Sequence, residues 1–220
     1  MDLWLASADP SAVERHLRLG IWRGVITNPS LVAATGRPPE ELFAELTELA
    51  GKAWYQLRDA SLDEMLDEAD AMLAVDAERI GIKVPCTRAG LGVLRVLSEQ
   101  GVRPMATVVP TATWMVLALA AGASMIAPYG SMVQRAGIAS KHEELARMQA
   151  IIDAQGSEAC LCPGIYDATE IATFARMGVS ACFVWERDVE GYLSQPLVDQ
   201  ACASFVDDWH TIDAARSGAD

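Results

Sequence analysis

The chain has 220 residues, 51% of them hydrophobic, and a formal net charge of −13. That length and apolar content allow one sizeable core. The acidic balance excludes binding along a nucleic-acid backbone, which calls for clustered Lys and Arg, and the longest apolar stretch, around Trp114 to Ala121, is too short to span a membrane.

Short apolar runs alternate with longer stretches of helical period along the whole chain. In chain order the predicted strands are Leu3–Leu5, Gly24–Thr27, Ala53–Gln56, Ile80–Val84, Met105–Val109, Met125–Pro128, Ala159–Cys162 and Ala181–Val184. Most are followed by Pro, Gly, Asn or Asp, which end strands. Asp9-Pro10 supplies an N-cap acid and a proline for a first helical turn, and Asp167-Ala168 is a second such start. Leu62, Met65, Leu66, Ala69 and Leu73 share one face of a helix over Leu62–Ala74, and Ala89–Gln100 and Lys141–Gln155 follow the same period. From Gln195 to about Ala215 an extra amphipathic helix carries Leu197, Val198, Ala201, Phe205 and Trp209, a stripe suited to its own domain or to a neighbouring subunit.

Eight strands with helices between them predict an α/β fold, a single-domain (β/α)₈ barrel over residues 1–220 with a helix at about 195–216 added at its end. An open doubly wound sheet would show a Gly-rich phosphate turn after the first strand, and the sequence has none. Met1-Asp2-Leu3-Trp4-Leu5 has no basic segment followed by a long apolar run, so secretion is not expected. The five cysteines, Cys86, Cys160, Cys162, Cys182 and Cys202, show neither a disulfide framework nor zinc-ligand spacing. They read as reduced thiols in a cytoplasmic protein.

Lys83 is the most informative residue. It lies between Ile82 and Val84 in a strand, where an ammonium is rarely placed without a reason. If its neighbours face the helices, alternation points Lys83 into the barrel. Burial would lower its pKa and leave an amine able to attack a carbonyl. The bland alternative is a lysine that snorkels to solvent from a strand end. In Gly24-Val25-Ile26-Thr27-Asn28-Pro29-Ser30 a strand turns abruptly into a helix, with Asn28 placed to hold a substrate oxygen and Ser30 to cap the helix. Gln56, Thr107 and Tyr129 fall at predicted C-terminal strand ends, the mouth where barrel active sites lie. Singly, each is equally a capping or core hydrogen-bonding residue.

These segments, with Ile82-Lys83-Val84-Pro85, Ala127-Pro128-Tyr129, Gln195-Pro196-Leu197-Val198-Asp199 and Phe205-Val206-Asp207-Asp208-Trp209, resemble the fructose-6-phosphate aldolase and small transaldolase family over nearly the whole chain. The resemblance implies a Schiff-base lysine at Lys83, a proton-relaying water held by Gln56, Thr107 and Tyr129, and a substrate contact at Asn28 in the Thr27-Asn28-Pro29-Ser30 string. It implies no metal or other cofactor, and rings of identical subunits built through the C-terminal helix. Gln56, where the family's classical transaldolases carry Glu, leans toward aldol chemistry.

Four substrate positions depart from the family pattern. Ala6 stands for an Asp, Ile26 for a Thr, Met132 for a phosphate-binding Arg and Gly164 for a phosphate-binding Ser. Losing the Arg and Ser removes charge-assisted contacts to a phosphate. The sequence therefore predicts a class I, metal-independent aldolase-like enzyme acting on a less hydroxylated, non-phosphorylated carbonyl, in a specialised biosynthetic step. The alternatives are a transaldolase or fructose-6-phosphate aldolase of sugar-phosphate metabolism and a non-catalytic barrel that binds a metabolite or scaffolds an assembly. Arg135 is read as an outward helix residue, with replacement of the lost cation from a shifted position as the alternative. Trp114, Tyr166 and Trp185 are candidates for an aromatic pocket wall, and Cys86 and Cys162 for pocket-lining thiols.

Overall fold

All nine strands of the computed structural model, which describes residues 1–217, run parallel in one curled sheet. They are β1 (Asp2–Ala6), β2 (Trp22–Ile26), β3 (Ala53–Gln56), β4 (Ile80–Pro85), β5 (Met105–Val109), β6 (Met125–Pro128), β7 (Cys160–Leu161), β8 (Gly164–Ile165) and β9 (Ala181–Trp185). The sheet order is β7-β6-β5-β4-β3-β2-β1-β9-β8. Its two ends are halves of one segment, joined by Cys162-Pro163. Cys162 N donates to Ile126 O at 2.7 Å on one side, and Phe183 N donates to Pro163 O at 3.0 Å on the other. The chain itself closes the ring. Pro163 has no N–H to extend the ladder, so the seventh barrel strand breaks there.

The strands alternate with α1 (Pro10–Leu17), α2 (Pro29–Thr35), α3 (Pro39–Ala50), α4 (Leu62–Asp76), α5 (Arg88–Glu99), α6 (Ala112–Ala120), α7 (Gly130–Arg135), α8 (Lys141–Gln155) and α9 (Thr169–Arg176). This (β/α)₈ barrel forms one compact unit, Met1–Glu186. A second unit, from Arg187 onward, holds the short α10 (Val189–Leu193) and the 22-residue α11 (Pro196–Ser217), the latter within a residue of the helix predicted at about 195–216. No described helix is long and apolar enough to cross a membrane.

Inside the barrel, Trp4 of β1 and Trp54 of β3 meet edge to face with ring centroids 6.0 Å apart. Their partners across the ladder are Gly24 and Gly81. A Cβ on Gly81 would lie 2.5 Å from the Trp54 ring, and one on Gly24 would lie 2.9 Å from Trp4. Two indoles fill the floor because two neighbouring strands contribute no side chain there. Two residues further along, the same face of each strand presents Ala6, Ile26, Gln56, Lys83 and Thr107 toward the C-terminal mouth.

Local signals hold with small shifts. Asp9 caps α1 by accepting from Ser11 N at 3.0 Å, with Pro10 in the first turn. Asp167 does not open α9 as an N-cap; it accepts from Thr169 N at 2.8 Å and Thr169 Oγ1 at 2.6 Å, and the helix begins at Thr169. The short acid closes a turn of its own before the helix starts. The buried line of α4 is Met65, Ala69 and Met72, so Leu62 and Leu73 sit beside the stripe, not in it.

Gly81→Ala is expected to cost about 1–3 kcal/mol by overpacking against Trp54, read as a lower urea midpoint at unchanged slope. An unchanged midpoint would contradict this account of the floor.

Candidate active site

Lys83 lies in β4 between Ile82 and Val84, both fully buried, and its side chain opens into the barrel with only 5% exposure. Its register partners are Gln56 and Met105 on the neighbouring strands. Nζ donates to Thr27 O at 2.6 Å. Thr27 is fixed in turn, since its N–H and its hydroxyl both donate to Trp54 O, at 3.1 and 2.9 Å. Burial pushes the Lys83 pKa down to about 8, with the nearby Cys162 acting slightly the other way. A carbonyl oxygen holds the nitrogen without supplying a negative charge, so the neutral amine is accessible near physiological pH.

The strand-to-helix turn after β2 places Asn28 at the pocket. Asn28, not Ser30, caps α2: its Oδ1 accepts from Leu31 N at 2.9 Å, with Pro29 in the first turn. This leaves the Asn28 amide N–H groups for a ligand. Asn28, Gln56, Thr107 and Tyr129 line the same pocket as Lys83, which encloses about 150 Å³. Ala6, Ile26, Met132 and Gly164, the four positions singled out in the sequence, line it too, as does Thr27.

Thr107 and Tyr129 are brought together by an irregularity in β5. The register slips between Thr107 and Val109, and the extra residue, Val108, has φ 60°. A β-branched residue in the left-handed region costs about 1–3 kcal/mol. Beyond the bulge, Val109 O accepts from Tyr129 N at 2.9 Å, while Thr107 stays buried at 2% exposure. Burial raises the Tyr129 pKa, so its phenol remains a proton donor.

A second buried ammonium escaped sequence reading. Lys141, at the start of α8, donates to Glu170 Oε1 and Oε2 at 2.6 and 2.7 Å and to Gly164 O at 3.0 Å, and its Nζ lies 4.9 Å from the Tyr166 ring centroid. Glu170 also accepts from Tyr166 N at 2.9 Å, and His142 Nε2 lies 3.3 Å from it. Burial lowers the Lys141 pKa and Glu170 opposes that shift. Gly130 makes room, because a Cβ there would lie 2.8 Å from Lys141 Cγ. The pair ties α8 and α9 to Gly164 and Tyr166, both in the pocket wall. One cue was available: a lysine in a first helical turn opposes the helix dipole and needs a compensating partner.

The remaining wall is aromatic. Tyr166 and Trp185 have centroids 6.0 Å apart, and Phe183 packs on Trp185 at 5.5 Å. A Cβ on Gly164 would lie 2.7 Å from the Phe183 ring, so that ring occupies the space a serine side chain would need. Trp114 is not in this wall; it stands partly exposed on α6, on a helix face turned away from the strands. Cys86 and Cys162 do not line the pocket either, and burial raises both thiols, Cys86 to about 11. Arg135, read from sequence as an outward helix residue, does line it. Among the described residues no group of three His, Cys, Asp or Glu is arranged to hold a metal ion.

The class of protein is a (β/α)₈ barrel with a buried lysine at its C-terminal mouth, and comparison with known proteins gives its family. A family model for Transaldolase/Fructose-6-phosphate aldolase matches residues 3–175. A protein of Alkaliphilus metalliredigens (strain QYMF) named "Probable transaldolase" is 31% identical over 212 residues, covering 95% of this chain and 98% of its own. Proteins of the same name from Rhodospirillum centenum and Streptococcus agalactiae serotype V are 29% and 26% identical, each over 95% of this chain and over 91% and 97% of their own. The chain belongs to the transaldolase/fructose-6-phosphate aldolase family.

Breaking the buried pair at one end should be costly, because the other charge is left uncompensated. Lys141→Met alone is expected to lose about 3–5 kcal/mol, and adding Glu170→Gln should restore part of that. Purely additive losses in a chemical-denaturation cycle would contradict the coupling.

Proposed function

We propose that the protein carries out aldol-type cleavage or transfer through a Schiff base on Lys83. The observation that carries this reading is the Lys83 amine, buried, without an ion pair to a carboxylate among the described residues and opening into a pocket shared with Asn28, Gln56, Thr107 and Tyr129. The neutral Nζ attacks the substrate carbonyl carbon, and loss of water from the carbinolamine leaves an iminium. A proton leaves the β-hydroxyl, the adjacent carbon–carbon bond breaks, and its electron pair passes into the iminium to give an enamine and a free aldehyde. Protonation of the enamine carbon followed by hydrolysis releases the second product, whereas addition to a new aldehyde gives transfer. Tyr129 is the acid and base of these steps, through a water held with Gln56 and Thr107. A purely binding or scaffolding role leaves the buried free amine without a purpose.

The description of the family and the name of the relatives favour a transaldolase or fructose-6-phosphate aldolase reaction over a specialised biosynthetic step. A second reading rests on the pocket wall. Ala6, Ile26 and Met132 offer no hydrogen bonds to hydroxyls, and Phe183 fills the space beside Gly164. These residues favour a donor with fewer hydroxyls and with no phosphate at the family's usual place. The same overall reading includes a cytoplasmic homo-oligomer assembled through α11, supported by the apolar series Leu197, Val198, Ala201, Phe205 and Trp209.

Cleavage of fructose 6-phosphate and aldol addition by hydroxyacetone, assayed side by side, separate the two substrates by which has the higher kcat/KM. In either case Lys83→Met is expected to lower kcat by about three orders of magnitude or more. Below pH 8 the amine is increasingly protonated and cannot attack, so single-turnover imine formation should rise about tenfold per pH unit and level off above about 8. A profile still rising to pH 10 would show an unperturbed lysine and contradict the proposal.

A further inference from the structure

We propose that the aldehyde half of the substrate carries a single aromatic ring, which Tyr166, Phe183 and Trp185 bind across the barrel from the amine; this rests on Lys83 as the residue that binds the ketone carbonyl. With β7 and β8 as one interrupted strand, β9 stands four strands from β4 in either direction round the barrel. Ala181, Phe183 and Trp185 share the inner face of β9, while Cys182 and Val184 between them are buried on the outer one. Phe183 and Trp185 therefore face Lys83 across the mouth, and Tyr166, the residue after β8, joins them in the pocket wall.

The pocket is divided by polarity. Asn28, Gln56, Thr107 and Tyr129 come from the ends of β2, β3, β5 and β6, the strands on either side of β4. On the far side the polar groups are engaged with one another. The three protons of Lys141 Nζ go to both oxygens of Glu170 and to Gly164 O, and Glu170 also holds Tyr166 N. Ala6, the register partner of Trp185, is too short to cover its ring. Apart from the Tyr166 hydroxyl, what that side offers a ligand is aromatic surface: Tyr166 is 47% exposed, and Phe183 and Trp185 are partly buried.

The geometry favours a ring over a saturated group. Tyr166 and Trp185 meet at 55° with centroids 6.0 Å apart, and Phe183 and Trp185 at 80° and 5.5 Å. Aromatic rings associate in such tilted and edge-to-face arrangements because the negative face of one meets the positive edge of the next. A ligand ring extends the cluster in the same way, whereas a saturated group of equal size gains only burial. The pocket volume of about 150 Å³ is that of a cavity which takes one benzene ring, and this sets the ligand at one ring on a short chain. In the condensing direction the enamine carbon bonds to the carbonyl carbon of the aryl-bearing aldehyde. The aldehyde oxygen takes a proton through Tyr129 and becomes the hydroxyl, and one water hydrolyses the iminium to free Lys83.

The test is calorimetric titration of Lys83→Met protein, in which no imine can form, with 4-phenylbutan-2-one beside 4-cyclohexylbutan-2-one. The expected result is binding of the phenyl ketone tighter by about fivefold, a preference that falls to about twofold or less when Trp185→Leu or Tyr166→Leu is added. Tyr166→Leu changes an exposed position, so the test does not depend on the core repacking that Trp185→Leu requires. A preference reduced by either variant supports the proposal. Equal affinities, tighter binding of the cyclohexyl ketone, or a preference that both variants keep overturns it. Borohydride trapping of the same ketones on protein with Lys83 intact distinguishes the two claims: adducts without a ring preference sink the aromatic site alone, and the preference without adducts sinks the Schiff base alone.

Discussion

The hydrogen bond from Lys83 Nζ to the Thr27 carbonyl organises the centre of the barrel. Moving an ammonium out of water is expensive, and a neutral acceptor repays only part of that cost. The equilibrium shifts toward the uncharged amine, and burial lowers the pKa to about 8. Much of the interior serves this placement. Trp4 and Trp54 fill the floor, so that the polar residues one layer up have the mouth to themselves. Thr27 is held to β3 through Trp54 O, which joins the packing of the floor to the position of the amine.

A second buried lysine shows how different the result is when the acceptor is charged. Lys141 meets both oxygens of Glu170 and remains a structural cation, tying two helices to the loop that carries Gly164 and Tyr166. On that wall Phe183 stands where a side chain at position 164 would go. The family's barrel is present here with a buried lysine and a pocket wall that is partly apolar and aromatic.

Much of the barrel was legible in the sequence because its signals are local. Most strands were bounded by a turn residue, and all eight predicted strands correspond to observed ones within a residue or two, with Pro163 interrupting the seventh. Lys83 stood out because alternation in a β-strand leaves one side for it, and Asp9 because capping is decided within a few residues. What was not legible depends on distant partners. The Lys141–Glu170 pair spans 29 residues, and neither member has an unusual neighbourhood in sequence apart from the helix dipole that Lys141 opposes. The bulge at Val108 carries no glycine to announce it. The sequence left Trp114 as a candidate because an aromatic residue near a strand mouth has the same local pattern whichever way it faces, and the pocket-lining place of Arg135 depends equally on the turn of its helix.

The most direct measurement is borohydride reduction of the protein in the presence of a ketone substrate, followed by peptide mass mapping of the adduct. The account predicts a single reduced adduct on the peptide containing Lys83, and none on Lys141, whose ammonium is engaged by Glu170. An adduct mapped to Lys141 or to a surface lysine, with Lys83 unmodified, would contradict it.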